Sequence, residues 1–318
     1  MAQRTANLLP YAATYNKDRT QSHGRSGRMP SFIEFATHIM NGLVLGLLYA
    51  VIALGFMLVL GVMQVINFSH GMLLAWGAYF AFTLRPMIGF FPALVVSPIL
   101  VGFIGLILEF AVRRSYGKDP LFGLLLTLGA AMALEQIIRM IWGAAGYTIA
   151  APKFVAGPMM FGSIIYSKYR LFLAGLAILL IVLTWLFLEK TPYGAIIKAG
   201  AFDSEMVMAL GIDIKKLRTL VFGLCSALAG VAGVIAAPLW SLKPTMGADA
   251  IMPAFVVVVI GGVGSFWGAV IGGLMVGLVT GISVMFMPKI SQIVMYVLMA
   301  VIILIRPRGL MGEKSILE

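Results

Sequence analysis

The sequence predicts an all-α polytopic membrane protein with eight to ten transmembrane segments, some of them discontinuous. Of 318 residues, 61% are hydrophobic and only 11% charged, whereas soluble chains carry about 25% charged residues. A soluble fold of this length would lack the polar residues to cover its surface. The apolar residues also come in long runs, about 20 residues being enough for a helix to span a bilayer. They do not alternate as barrel strands would, and helices pair every backbone polar group inside lipid. Counts of 36 Gly and 21 Met fit the same class, since glycine allows close helix approach in lipid and methionine packs flexibly. A single Cys excludes an internal disulfide framework.

Residues 1–31 carry Arg4, Lys17, Arg19, Arg25 and Arg28 against Asp18 alone. With no apolar core and no cleavage site, this stretch reads as a disordered tail, not a secretory signal. The transmembrane domain is expected over 32–312. Residues 35–84 hold at least two crossings with a weak point around Asn67–His70, and further spans follow at 92–111, 120–142, 170–188, 217–239, 266–286 and 290–305. The charge-free stretch Ile251–Met287 is too long for one crossing. Gly261, Gly262 and Gly264 interrupt it, so a short or broken segment precedes a full helix. Residues 313–318 form a short tail.

The net charge of +11 reads as basic loops at a membrane surface, because no aromatic-and-basic stripe offers itself to nucleic acid. Arg113, Arg114 and Lys118 fall in one loop. Lys190, Lys198, Lys215, Lys216 and Arg218 fall in another, and Arg306, Arg308 and Lys314 at the end. Alternating helices place all three on one side, which should be the cytoplasm. Arg85, Lys153, Lys168, Arg170, Lys243 and Lys289 are scattered over the opposite loops. The tail's own charge argues for the cytoplasm and the count of crossings for the other side, so its placement stays open.

No catalytic set emerges. His23, His38 and His70 are scattered, no Cys/His cluster has metal spacing, and there is no Walker-type phosphate loop. Any ATP must be hydrolysed by another subunit. Three features remain. Asn67, Ser69 and His70, in the break Gln64–Gly71, either face a cavity or mark a turn in which Asn67 or Ser69 caps the next helix. Glu135 and Arg139 stand four apart on one helix face, which reads as a structural ion pair rather than a substrate contact. Between Gly194 and Gly211, Met206, Ala209 and Leu210 lie at helical spacing in a segment too polar to span. It is a membrane-surface filler or a docking element.

The stretch Asn41–Gly55, followed by Ile66-Asn-Phe-Ser-His-Gly71 and Gly77-Ala-Tyr79, resembles the permeases of branched-chain amino acid ABC importers, more narrowly the LivH kind. Ala209-Leu-Gly-Ile212, Ala227–Gly233, Val259–Ala269 and Ile305-Arg-Pro-Arg-Gly-Leu310 extend the likeness over about 33–312. It implies a multi-pass permease of ABC-importer architecture in a bacterial inner membrane, binding no cofactor itself. Its implied partners are a second, LivM-like permease, two cytoplasmic ATPases that use ATP, and a periplasmic binding protein. The segment at about 190–216 then becomes the coupling element, with Glu205, Ala209 and Gly211 where such importers carry a loose Glu-Ala-Ala…Gly motif. Met206 and Val207 replace the two Ala. Asn67, Ser69 and His70 would line the translocation path.

Relatives of that kind carry urea, amides or aromatic acids, which remain alternatives to amino acids. A self-contained secondary transporter is the rival from another class, though it usually shows intramembrane acids. Here only Glu135 and Glu109 qualify, and both lie near helix ends or beside Arg.

Overall fold

A computed structural model describes residues 31–162 and 164–312. The basic tail before Ser31 and residues 313–318, Lys314 included, lie outside the described residues. The helices are α1 (Phe32–Met63), α2 (Ser69–Ile88), α3 (Phe90–Val112), α4 (Pro120–Trp142), α5 (Lys168–Lys190), α6 (Pro192–Phe202), α7 (Ser204–Ala209), α8 (Ile214–Ala236), α9 (Met246–Gly261), α10 (Phe266–Phe286) and α11 (Ser291–Ile305). Seven of them, namely α1, α3, α4, α5, α8, α10 and α11, are long and apolar enough to cross a membrane, counting the short turns flanking α3 and α11. Among the described residues, then, seven helices have the length and hydropathy of a span where the sequence suggests eight to ten segments, some discontinuous; α2 and the 16-residue α9 pack among them without reaching that measure. At 1.5 Å per residue α9 is about 24 Å long, less than a full hydrocarbon core of roughly 30 Å.

Local chemistry sets the helix starts. Ser31 and Glu34 form a reciprocal capping box, with Ser31 N–H to Glu34 Oε2 at 2.9 Å and Glu34 N–H to Ser31 Oγ at 3.2 Å. Asp119 accepts from Leu121 N–H at 2.8 Å with Pro120 at the first turn of α4. Asp213 caps α8, which is why α8 begins at Ile214, three residues before the expected 217. It then ends at Ala236, two residues before Pro238.

One element differs from the all-helical expectation. After α4, β1 (Pro158–Phe161) and β2 (Ile164–Ser167) form a two-stranded antiparallel hairpin with Phe161 opposite Ile164. Gly162, at φ +59°, supplies the left-handed turn residue. A Gly-Ser pair between two short apolar runs is a hairpin signal, but four-residue strands give too little alternation to stand out beside helices.

Packing sorts the helices into an enclosed centre and a lipid-facing surround. Every residue of α2 from Ser69 to Tyr79, the polar Ser69 and His70 included, is buried, so this half of the helix is enclosed on all sides and carries no exposed stripe. By contrast α3 exposes Phe91, Val95, Ile99, Phe103 and Ile107, a row spaced by four residues. A soluble protein rarely leaves such a row bare, whereas on a helix long and apolar enough to cross a membrane it suits a lipid surround. At the seam of α1 and α10 the backbones touch. A Cβ on Gly46 would lie 2.8 Å from Gly273 O, and one on Gly277 would overlap Gly46 Cα. Only small residues permit this approach, which replaces side-chain interdigitation as the source of van der Waals contact.

The two ends of the bundle are chemically distinct. At one, Tyr116 OH donates to Met63 Sδ at 3.1 Å, and the Arg218 guanidinium lies 5.2 Å from the Tyr116 ring centre. The C-terminal stretch joins them there, with Leu310 N–H to Ile260 O at 2.8 Å and Met311 N–H to Gly261 O at 3.0 Å. This basic end gathers the described cations of the three groups that the sequence assigns to one side, Arg113, Arg218 and Arg306 among them. At the opposite end Arg85 donates to Ala150 O, Arg170 to Asn41 Oδ1 at 2.6 Å, and Tyr147 pairs with Leu242 as an isolated bridge.

Candidate translocation and coupling sites

The polar break folds as a short non-helical link, Gln64–Phe68, between α1 and α2, with Gln64 at φ +54° and Phe68 already in the helical region. Thr127 of α4 supplies the partners that a missing helix turn would have given. Its Oγ1 accepts from Phe68 N–H at 3.3 Å and donates to Ile66 O at 2.9 Å. Asn67 Oδ1 accepts from Ser69 N–H at 3.1 Å and from Ser69 Oγ–H at 2.5 Å, the capping geometry of an Asx turn. His70 Nε2 stands 3.3 Å from Ile52 O of α1. The ring fills the space a Cβ at Gly55 would need, its Cε1 lying 2.9 Å from that position. Asn67, Ser69 and His70 are each 0% exposed. In this conformation they cap and bolt α2 against α1, and none of the three is on the wall of the cavities described below. Beside them, a Cβ on Gly71 would overlap Gly247 O, so the first turns of α2 and α9 are in backbone contact.

The segment at the basic end is two helices where the sequence suggests one. Asp203 ends α6 and caps α7, accepting from Glu205 N–H at 3.0 Å and Met206 N–H at 2.9 Å. Val207 is buried, but Phe202, Met206, Met208 and Leu210 are 67%, 60%, 52% and 73% exposed. The Met206, Ala209 and Leu210 face therefore points away from the protein. Gly211 closes α7 with φ +83°. Ile212 N–H bonds Val207 O at 3.3 Å and Gly211 N–H bonds Met208 O at 2.9 Å, the paired bonds of a Schellman end. Glu205, Ala209 and Gly211 are all exposed. Then Asp213 starts α8; the Lys216 and Lys215 backbone N–H groups bonded to its carboxylate hold it below its usual pKa. Behind these helices lies a cavity of about 500 Å³, with Gln64, Lys198, Phe202 and Trp267 on its walls.

On α4, Arg139 Nη2 donates to Glu135 Oε1 at 2.6 Å, with the two side chains 35% and 24% exposed. The last turn of this helix reaches the opposite end, where Trp142 Nε1–H donates to Thr83 Oγ1 at 2.9 Å.

A second cavity, of about 660 Å³, opens beside the loop between α8 and α9. Lys243 and Asp249 lie on it, paired at 2.7 Å, together with Tyr49, Trp240, Thr280 and Tyr296. Sequence reasoning noted Lys243 only as one of several scattered cations and passed over Asp249. The two stand six positions apart across a helix start, a spacing with no periodic signature.

The model of the family described as "Branched-chain amino acid transport system / permease component" matches residues 38–303. Among curated proteins, the high-affinity branched-chain amino acid transport system permease protein BraD of Pseudomonas aeruginosa is 29% identical over 91% of this chain and 99% of its own. The corresponding LivH protein of Salmonella typhimurium is 28% identical over 90% and 98%. A probable LivH permease of Methanocaldococcus jannaschii is 26% identical over 83% and 89%. The family match covers most of the chain and all of the helical bundle except the first six residues of α1 and the last two of α11, and on that ground the chain belongs to the branched-chain amino acid transport system permease family.

Proposed function

We propose that this chain is the membrane-spanning permease subunit of an ATP-driven importer for branched-chain amino acids in a bacterial inner membrane, with its basic end in the cytoplasm. It works with a second, LivM-like permease, two cytoplasmic ATPase subunits and a periplasmic binding protein. The observation that carries the coupling part of this reading is the apolar face of α6–α7. Phe202, Met206, Met208 and Leu210 stand exposed on a short helix pair at the basic end, beyond the spanning helices. An exposed apolar cluster rimmed by charge is a docking surface for protein.

In this reading the ATPases grip α6–α7 and move it as a unit. The segment is suited to that task, because Thr191 caps the start of α6, Asp203 fixes the α6–α7 junction and Gly211 closes α7. It is tied to the bundle through Val207, Ile197 and Leu217, which share a buried cluster with Val59 and Met63 of α1. Motion at α6–α7 is thereby transmitted to α1 and to the break that α1 shares with α2. Asn67, Ser69 and His70 act there as positioning residues, which come to border the path when α2 moves against α1. A ligand shifts such an equilibrium only by binding the two states differently, so the permease itself needs only modest affinity. The test is affinity purification of the tagged chain in mild detergent with mass identification of its companions. Two ATPases and a second permease are expected. A chain that elutes alone and moves solute without ATP would put the secondary-transporter reading in its place.

A further inference from the structure

The cavity at the opposite end is built for one kind of solute. It offers one cation and one anion, Lys243 Nζ and Asp249 Oδ2, 2.7 Å apart and each about half exposed. Thr280 Oγ1 on its wall is buried and has no hydrogen-bond partner among the described residues. The remaining wall is aromatic and sulfur-rich, with the Tyr49 and Trp240 rings tilted at 42° and 6.5 Å between centres, and Met246 and Met252 nearby. A volume of about 660 Å³ is of the size that holds a small organic ligand.

We infer that this cavity is a substrate site for the zwitterionic backbone of an α-amino acid with an apolar side chain. The ligand's carboxylate takes Lys243 and its ammonium takes Asp249, opening the ion pair and replacing it with two charge-assisted pairs. The side chain lies against Tyr49, Trp240 and the methionines, and Thr280 donates to the carboxylate. Because the loop bearing Lys243 leads directly into α9, whose first turn touches α2 at Gly71 and Gly247, occupancy bears on the same helices that the coupling segment moves. This assignment rests on the importer reading but has its own test.

Ser241 lies on the cavity and is exposed, whereas the native thiol, Cys225, is buried. The experiment is maleimide labelling of full-length Ser241→Cys in nanodiscs, in the presence of L-leucine, 4-methylpentanoate (no ammonium) or 3-methylbutylamine (no carboxylate). Protection follows 1 + [L]/Kd, so labelling should slow about fourfold when leucine is at three times its Kd. The two half-ligands should protect far less. Lys243→Gln and Asp249→Asn should each abolish leucine protection, measured against each variant's own unliganded labelling rate. No protection at the solubility limit of leucine, or equal protection by all three compounds, overturns the assignment. The analogue series on unaltered Lys243 and Asp249 decides the matter even if the two variants misfold. Loss of the ATPases on purification would count against the importer reading without changing the protection result.

Discussion

Gly211 is where one backbone dihedral decides whether α7 can stop and α8 begin. Its φ of +83° costs an L-residue roughly 1–2 kcal/mol. Gly211→Ala should therefore loosen the 203–212 segment, read as faster amide exchange there, while the spanning helices keep their protection. His70 makes a sharper case. A side chain that is 0% exposed and wedged at Gly55 is a bolt, so His70→Ala should lower the melting temperature in detergent. Transport lost with melting unchanged would instead make His70 a pathway contact. For the ion pair on α4, Arg139→Leu alone should destabilise by about 1–3 kcal/mol by leaving Glu135 unpaired, and the double apolar variant should be milder; a double-mutant cycle measures this. Asp213 adds a pH dependence. Its pKa is depressed in the folded state, so its cap is intact above the ordinary carboxylate pKa and is lost as pH falls through the lower, folded value.

Helices meet here through glycine where they must be close and through lipid where they need not be. The α1–α10 seam makes this testable. Gly273→Ala would place a Cβ 2.8 Å from Ala50 N, against backbone that cannot yield, and should cost melting temperature or assembly. At Gly129 and Gly175 a Cβ meets nothing within 4 Å, so alanine there should be neutral or stabilising by up to about 1 kcal/mol. Thermal unfolding of the four single variants, with Gly277→Ala as the second seam site, separates the classes. Much of this scale is legible in the sequence. The spans at 120–142 and 266–286 have the expected bounds because Asp119-Pro120 and Ser265 cap them and Gly143 and Met287 follow them. The break near Asn67 and the interruption at Gly261–Gly264 are legible because polar and glycine residues punctuate apolar runs. Helix pairing is not, since glycine count tells nothing of which glycine faces which. Nor is the outward aim of Met206 and Leu210, because the same spacing fits either face until Val207 is seen to be the buried residue.

Across the whole molecule, charge and apolar surface divide the labour. The basic end carries the cation groups, the docking face and the link to α1, while the opposite end carries a cavity with one charge of each sign. Family membership follows from motifs spread along the chain, so the order of amino acids is enough to read it. The cavity is not legible in that way, because Tyr49, Lys243, Asp249 and Thr280 come from α1, the α8–α9 loop, α9 and α10. Only the fold brings them together. The measurement that bears most directly on the account is ATP-dependent leucine uptake into proteoliposomes holding the purified complex, comparing the unaltered chain with Met206→Asp/Leu210→Asp. The account predicts ATP-driven uptake that the double substitution abolishes, together with release of the ATPases and no change in the melting of the membrane helices. Undiminished uptake by that variant, or uptake that proceeds without ATP, would contradict it.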